Sequence, residues 1–252
     1  GEKIGLSNDF VVKVISSTGN YGEIYERHLG QNSEVPIPRG QNKLYKKGAD
    51  AVLNKNYSLA VDIFKKMAED NEYDAQYNLA YLIRSGKGVT QNYSEALFWA
   101  FSATLGLRTL IDPSKKDEKL EQDLRKANDL TSDLIDLLPE KITETVRKEL
   151  LSYLLDRYKK KEIEVVTQLG DYFLIILEEE NYADAYMWYS VASALGVDGA
   201  IEERDKVERK LDSDTLVKMQ VEAKRNFEDF NRTETAPEKN LKENKTEKEY
   251  ES

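Results

Sequence analysis

Residues 72–107 read EYDAQYNLAYLIRSGKGVTQNYSEALFWAFSATLGL. The spacing predicts a helix over 74–84, a loop over 85–92 and a second helix over 93–105. Ala75, Leu79, Leu82 and Ile83 fall on one face of the first helix, and Ala96, Trp99, Ala100 and Ala103 on one face of the second. Small residues on a packing face let two helix axes approach closely, and Trp99 fills the space beside them. Gly106 stands where a left-handed residue stops a helix. The result is a helical hairpin with one apolar side left over, which needs neighbours of its own kind.

The pattern recurs. Upstream, 44–53, a turn at Asn54-Lys55-Asn56 and 57–68 repeat it, with Ala60 and Phe64 facing inward. Downstream, 165–177, a turn over 178–181 and 182–195 repeat it more closely: Asn92, Tyr93, Ala96 and Trp99 return as Asn181, Tyr182, Ala185 and Trp188, and Gly106 as Gly196. Repetition at this scale is the mark of a solenoid of helix pairs. The Leu79-Ala80, Gly86-Lys87-Gly88-Val89, Ala96-x-x-Trp99 and Ala103-x-x-Gly106 pattern resembles the Sel1-like branch of the tetratricopeptide-type repeats, and Gly170 matches the small residue of that family's first helix. The resemblance implies an all-α, right-handed α-α superhelix over 42–230 that works as a non-enzymatic protein- or peptide-binding scaffold.

Composition agrees. A chain of 252 residues buries a sizeable core. Charged residues make up 33% of it with a net charge of −10, which argues against nucleic acid as the main ligand, since phosphate binding needs a concentrated basic face. No apolar run approaches the roughly 20 residues of a membrane helix. Cysteine is absent, which excludes disulfides and thiolate metal sites and leaves the compartment open. No signal peptide is visible, and Gly1 in place of Met points to a trimmed chain.

Residues 9–48 are a different kind of text. Gly19-Asn20-Tyr21-Gly22-Glu23-Ile24-Tyr25-Glu26-Arg27 and Pro38-Arg39-Gly40-x-Asn42-x-Leu44 resemble the carboxy-terminal segment of the general L-amino-acid binding proteins of bacterial ABC transporters. The likeness covers about forty residues against ~100–200 for a domain, so the bulk of both lobes that would enclose an amino acid is expected to be missing. It implies an origin near a periplasmic uptake system. Periplasmic location is expected on that ground, with the cytoplasm as the alternative. Where that family carries paired glycines, this chain has Gly48-Ala49, and alanine favours helix over glycine by about 1 kcal/mol; the segment therefore runs on into the first repeat helix. Residues 1–41 read as a cap on the solenoid, with Asn20, Tyr21, Glu23, Arg27 and Arg39 packed in it.

Between the better repeats, Asp112-Pro113 signals a helix start. Leu120, Leu124, Ala127, Leu134 and Leu137 line one long helix, Pro139 breaks it, and Ile142, Val146, Leu150, Leu154 and Tyr158 line the next. The stretch 112–161 is a lengthened helix pair inserted in the array, and Lys159-Lys160-Lys161 complements the carbonyl end of its second helix. Closing helices follow at 200–211, with Arg204, Val207 and Leu211, and at 215–230, where Val217, Val221, Lys224 and Phe227 are expected to face the array and Asp212 or Ser213 to cap it. Residues 231–252, rich in Glu, Lys, Thr and Asn, bury too little to offset ordering entropy and read as a disordered tail; two glycosylation sequons there carry no weight.

Catalysis finds little support. The one histidine, His28, sits in the cap segment, and no cysteine nucleophile, phosphate loop or H-E-x-x-H pair occurs. No catalytic, cofactor or metal site is expected, and the chain is expected to be a monomer. The working surface is expected on the first helices of the pairs. Tyr77, Tyr81 and Arg84 lie opposite the core face of 74–84, with Lys46 and Asp171 at comparable positions in the neighbouring units; tyrosine and arginine dominate interface hot spots. The alternative is that Tyr77 or Tyr81 packs against the adjacent helix pair.

Overall fold

The computed structural model describes residues 43–112, 115–177 and 179–232. The cap expected at 1–41, with Asn20, Tyr21, Glu23, Arg27, His28 and Arg39, and the tail beyond Arg232 lie outside those residues. Among the described residues the chain is all-α: α1 (Lys43–Leu53), α2 (Tyr57–Glu69), α3 (Tyr73–Ser85), α4 (Tyr93–Thr109), α5 (Glu118–Leu137), α6 (Glu140–Lys159), α7 (Glu164–Asp171, continuing as a π-helical turn Tyr172–Ile176), α8 (Tyr182–Ala194), α9 (Ala200–Glu208) and α10 (Ser213–Asn231).

The second helix of each repeat begins at an Asn-Tyr pair for one reason. The side chains of Asn56, Asn92 and Asn181 accept hydrogen bonds from the backbone N–H of Leu59, Glu95 and Asp184. Each cap satisfies a donor that the first helical turn leaves without a partner. Gly86 ends α3 in the left-handed region, at φ 64°, where a side chain costs energy. The first helix runs unbroken through Gly48 and Ala49, both buried.

Successive helices pack in order from α1 to α5, and α4 is the hub. It packs against α3, α5, α6 and α7, so that α5 and α6 are both seated on α4. That explains why α4 is apolar around its whole circumference, with Leu97, Trp99, Phe101, Leu105 and Leu107 all buried. Beyond it, α7 pairs with α6 and α8, and α8 carries α9 and α10. Trp99 and Trp188 are buried at equivalent places in their repeats.

Several expectations are corrected. Gly106 does not stop its helix: α4 continues to Thr109, and a side chain at Gly106 would meet the ring of Tyr73. Gly196, by contrast, takes φ 78° just past the end of α8, with open space around it. Asp117 starts α5, accepting from the N–H of Leu120, rather than the Asp112-Pro113 pair. Leu137 and Ile142 are exposed at the α5–α6 turn, and Leu130 is buried instead. The last helix is turned from the expected face: Met219, Ala223 and Phe230 are buried, while Val217, Val221 and Lys224 point outward. Lys161 does not serve its own helix; its Nζ donates to the carbonyl of Asp229 at 2.7 Å, at the carboxyl end of α10.

Candidate partner-binding face

The first helices are tied to one another by buried polar groups, and these fix which side chains remain at the surface. Asn78 on α3 donates to the hydroxyl of Tyr45 on α1 at 2.7 Å, and the Tyr45 ring stands edge-on to Phe64, 5.5 Å between centroids. Tyr77, next to Asn78, is only 4% exposed. It is interior packing, as its alternative reading held. Tyr81, one turn on, is half-buried against the core.

Arg84 stands in the last turn of α3, where a cation is favoured by the helix dipole. It donates to Asp133 on α5 at 2.9 Å, and Gln91 holds the Arg84 carbonyl at 2.8 Å. Arg84 therefore bridges two helices at the surface. Lys46 on α1 is partly exposed. Of the five residues expected to meet a partner, Lys46, Tyr81 and Arg84 remain at the surface, and Tyr77 and Asp171 do not.

Asp171 is 2% exposed and belongs to a junction that sequence reasoning missed. Its Oδ1 accepts from Arg108 Nε on α4 at 2.8 Å and from the Tyr189 hydroxyl on α8 at 2.7 Å. Glu203 on α9 lies 3.9 Å from the same guanidinium. Burial raises the Asp171 carboxyl above the ordinary carboxylate range, against the pull of Arg108 and Tyr189. Burial and the neighbouring Asp171 charge push the Tyr189 hydroxyl up. A buried carboxylate is tolerated only when it is paired and hydrogen-bonded, and here the pairing joins α4, α7, α8 and α9. A second network crosses α2–α3, α6 and α7. Tyr73 accepts from Gln168 at 3.1 Å, Gln168 accepts from Arg157 at 3.1 Å, and Arg157 pairs with Glu162 at 2.7 Å. Asn71 accepts from Tyr153 at 2.9 Å. The legible signal was polar residues set inside apolar runs, Gln168 and Asp171 around Leu169-Gly170 and Arg157 after Leu154-Leu155.

These are structural links between repeats. Among the described residues no group of three or more His, Cys, Asp or Glu side chains is placed to hold a metal ion. None of the described helices is long and apolar enough to cross a membrane.

The Sel1 repeat family matches residues 40–72, 74–104 and 168–197. A 48-residue stretch of the chain is similar to amino-acid-binding proteins. Over 48 residues the chain is 52% identical to the general L-amino acid-binding periplasmic protein AapJ of Rhizobium johnstonii. Over 48 residues it is 42% identical to the glutamate/glutamine/aspartate/asparagine-binding protein BztA of Rhodobacter capsulatus. Each match takes in 19% of this chain and 14% of the relative, so the chain spans about one seventh of the relatives it resembles. A solved structure, the protective antigen c5321 of uropathogenic Escherichia coli with an SLR fold, is similar at 17% identity and a TM-score of 0.30. That likeness covers 88% of this chain and 52% of that one. The chain carries three Sel1 repeats in an all-α array, the third reached after the inserted helices α5 and α6, each of which packs on α4.

Proposed function

We propose that this chain is a non-enzymatic scaffold that binds a protein or peptide along the face carrying Lys46, Tyr81 and Arg84, and that it works in a bacterial envelope. The observation that carries the reading is the set of three Sel1 repeats linked to one another by polar contacts, Asn78 to Tyr45, Gln168 to Tyr73 and Arg108 to Asp171. Preorganised surfaces bind without a large ordering cost. The envelope location is supported by the likeness of a 48-residue stretch to a periplasmic amino-acid-binding protein.

The test is affinity capture from envelope extract with the wild-type chain and with Tyr81→Ala and Arg84→Ala. Circular dichroism confirms that both variants remain folded. The expected result is a specific partner lost or weakened in both. Full retention by both variants removes this face from consideration.

A second reading is favoured by the 52% identity over 48 residues to AapJ: an accessory role in amino-acid uptake that uses the amino-terminal segment directly. Calorimetry with a mixture of L-amino acids separates the two, since saturable heat supports the second reading and none supports the first.

A further inference from the structure

We propose that α10 is a self-association surface, pairing antiparallel with α10 of a second copy of this chain. Its outward face carries Val217 and Val221, 59% and 63% exposed, one helical turn apart. Valine is a poor helix former because its branched Cβ loses rotamer freedom against the preceding turn. An exposed helix position gains nothing from it. The end unit of a helical array ordinarily shows solvent a polar outer face, and here that face has an apolar centre.

Charge decides what covers it. The outward stripe of α10 reads Asp214, Val217, Lys218, Val221, Lys224, Arg225 and Glu228. A two-fold pairing uses the same patch on both copies. Centred at position 219, it sets Val217 against Val221 of the other copy and Asp214 against Lys224. Lys218 and its own mate flank the two-fold axis, the single like-charge contact of this register, and Arg225 faces Ser213. Centring on Val221 instead sets Asp214 against Glu228 and Lys218 against Lys224, two repulsive pairs. The first register is therefore the favoured one. One helix of 19 residues buries less against its copy than the ~1,600 Å² of a standard interface, so the dimer is reversible and forms as concentration rises.

The full chain is run in sedimentation velocity over a concentration series, beside Val217→Glu/Val221→Glu, Asp214→Lys and Asp214→Lys/Lys224→Asp. Because the chain has no cysteine, Val217→Cys and Val221→Cys are clean reporters of register. The expected results are a monomer–dimer equilibrium lost in the double glutamate variant at unchanged melting temperature, weakened by Asp214→Lys and restored by Lys224→Asp. A mixture of the two cysteine variants should cross-link more than either alone. A monomer at every concentration, a dimer that survives the double glutamate variant, or equal cross-linking in all three samples overturns the proposal.

Discussion

The ring of Tyr73, at the start of α3, occupies the space that a side chain at position 106 of α4 would need; a Cβ there would lie well under 3.0 Å from three of its carbons. The same tyrosine accepts a hydrogen bond from Gln168 on α7. One side chain therefore sets, through two contacts, the α3–α4 distance and the approach of α7.

Gly106→Ala is expected to destabilise the chain by about 3 kcal/mol, at the top of the range for overpacking. The helix propensity gained from alanine, about 1 kcal/mol, is too small to offset a clash with a ring held on both sides. Tyr73→Ala in the same chain should recover part of the loss. Urea unfolding of both variants measures this, and additive losses in the double variant would count against the contact.

Arg108→Ala leaves the Asp171 carboxyl buried without its cation. The expected cost is about 3 kcal/mol at neutral pH, the lower end for breaking a buried pair, because Arg108 is itself partly exposed. Protonation removes the uncompensated charge, so the gap between variant and wild type should narrow as pH falls. Chemical denaturation at neutral and acid pH reads this directly, and a gap that widens in acid would refute it.

Burial raises the hydroxyls of Tyr158 and Tyr172 from 10.0 to about 12. Between those values the unfolded chain has released protons that the folded chain retains, so stability falls as pH rises through that window. The stabilising share of these groups is complete below pH 10 and gone above about 12. Melting temperatures across alkaline pH should drop more steeply for wild type than for Tyr158→Phe or Tyr172→Phe. Parallel curves would mean that the two hydroxyls are not responsible.

Asn92→Ala and Asn181→Ala should each cost about 1 kcal/mol through loss of a helix cap, whereas the Asp variants should be nearly neutral. A flat response in the alanine variants would show that the Asn-Tyr repeat has some origin other than capping.

The helix pairs were legible because their signals are local. The recurring Asn-Tyr pairs, the Gly86-Lys87-Gly88 loop and apolar residues at three- and four-residue spacing mark α1–α4 and α8 in the chain itself. The same signals misread Gly106, since a glycine that stops a helix and a glycine that admits a neighbouring ring look alike in sequence. They also misread α10, where Val217 and Val221 have core-like spacing but Met219, Ala223 and Phe230 make the packed face. For the candidate site, Lys46, Tyr81 and Arg84 were placed at the surface by helical periodicity alone. Tyr77 and Asp171 failed because periodicity cannot say which side of a helix a distant repeat will cover.

The amino-acid sequence by itself determined the all-α repeat architecture, because helix propensity, caps and hydrophobic period act over a few residues. Tertiary structure alone decided that α4 is buried on every side, that Asp171 closes a junction with Arg108 and Tyr189, and which stripe of α10 meets solvent. Those outcomes depend on contacts between segments up to about a hundred residues apart, such as Tyr73 with Gln168, where small differences in helix rotation redirect a whole face.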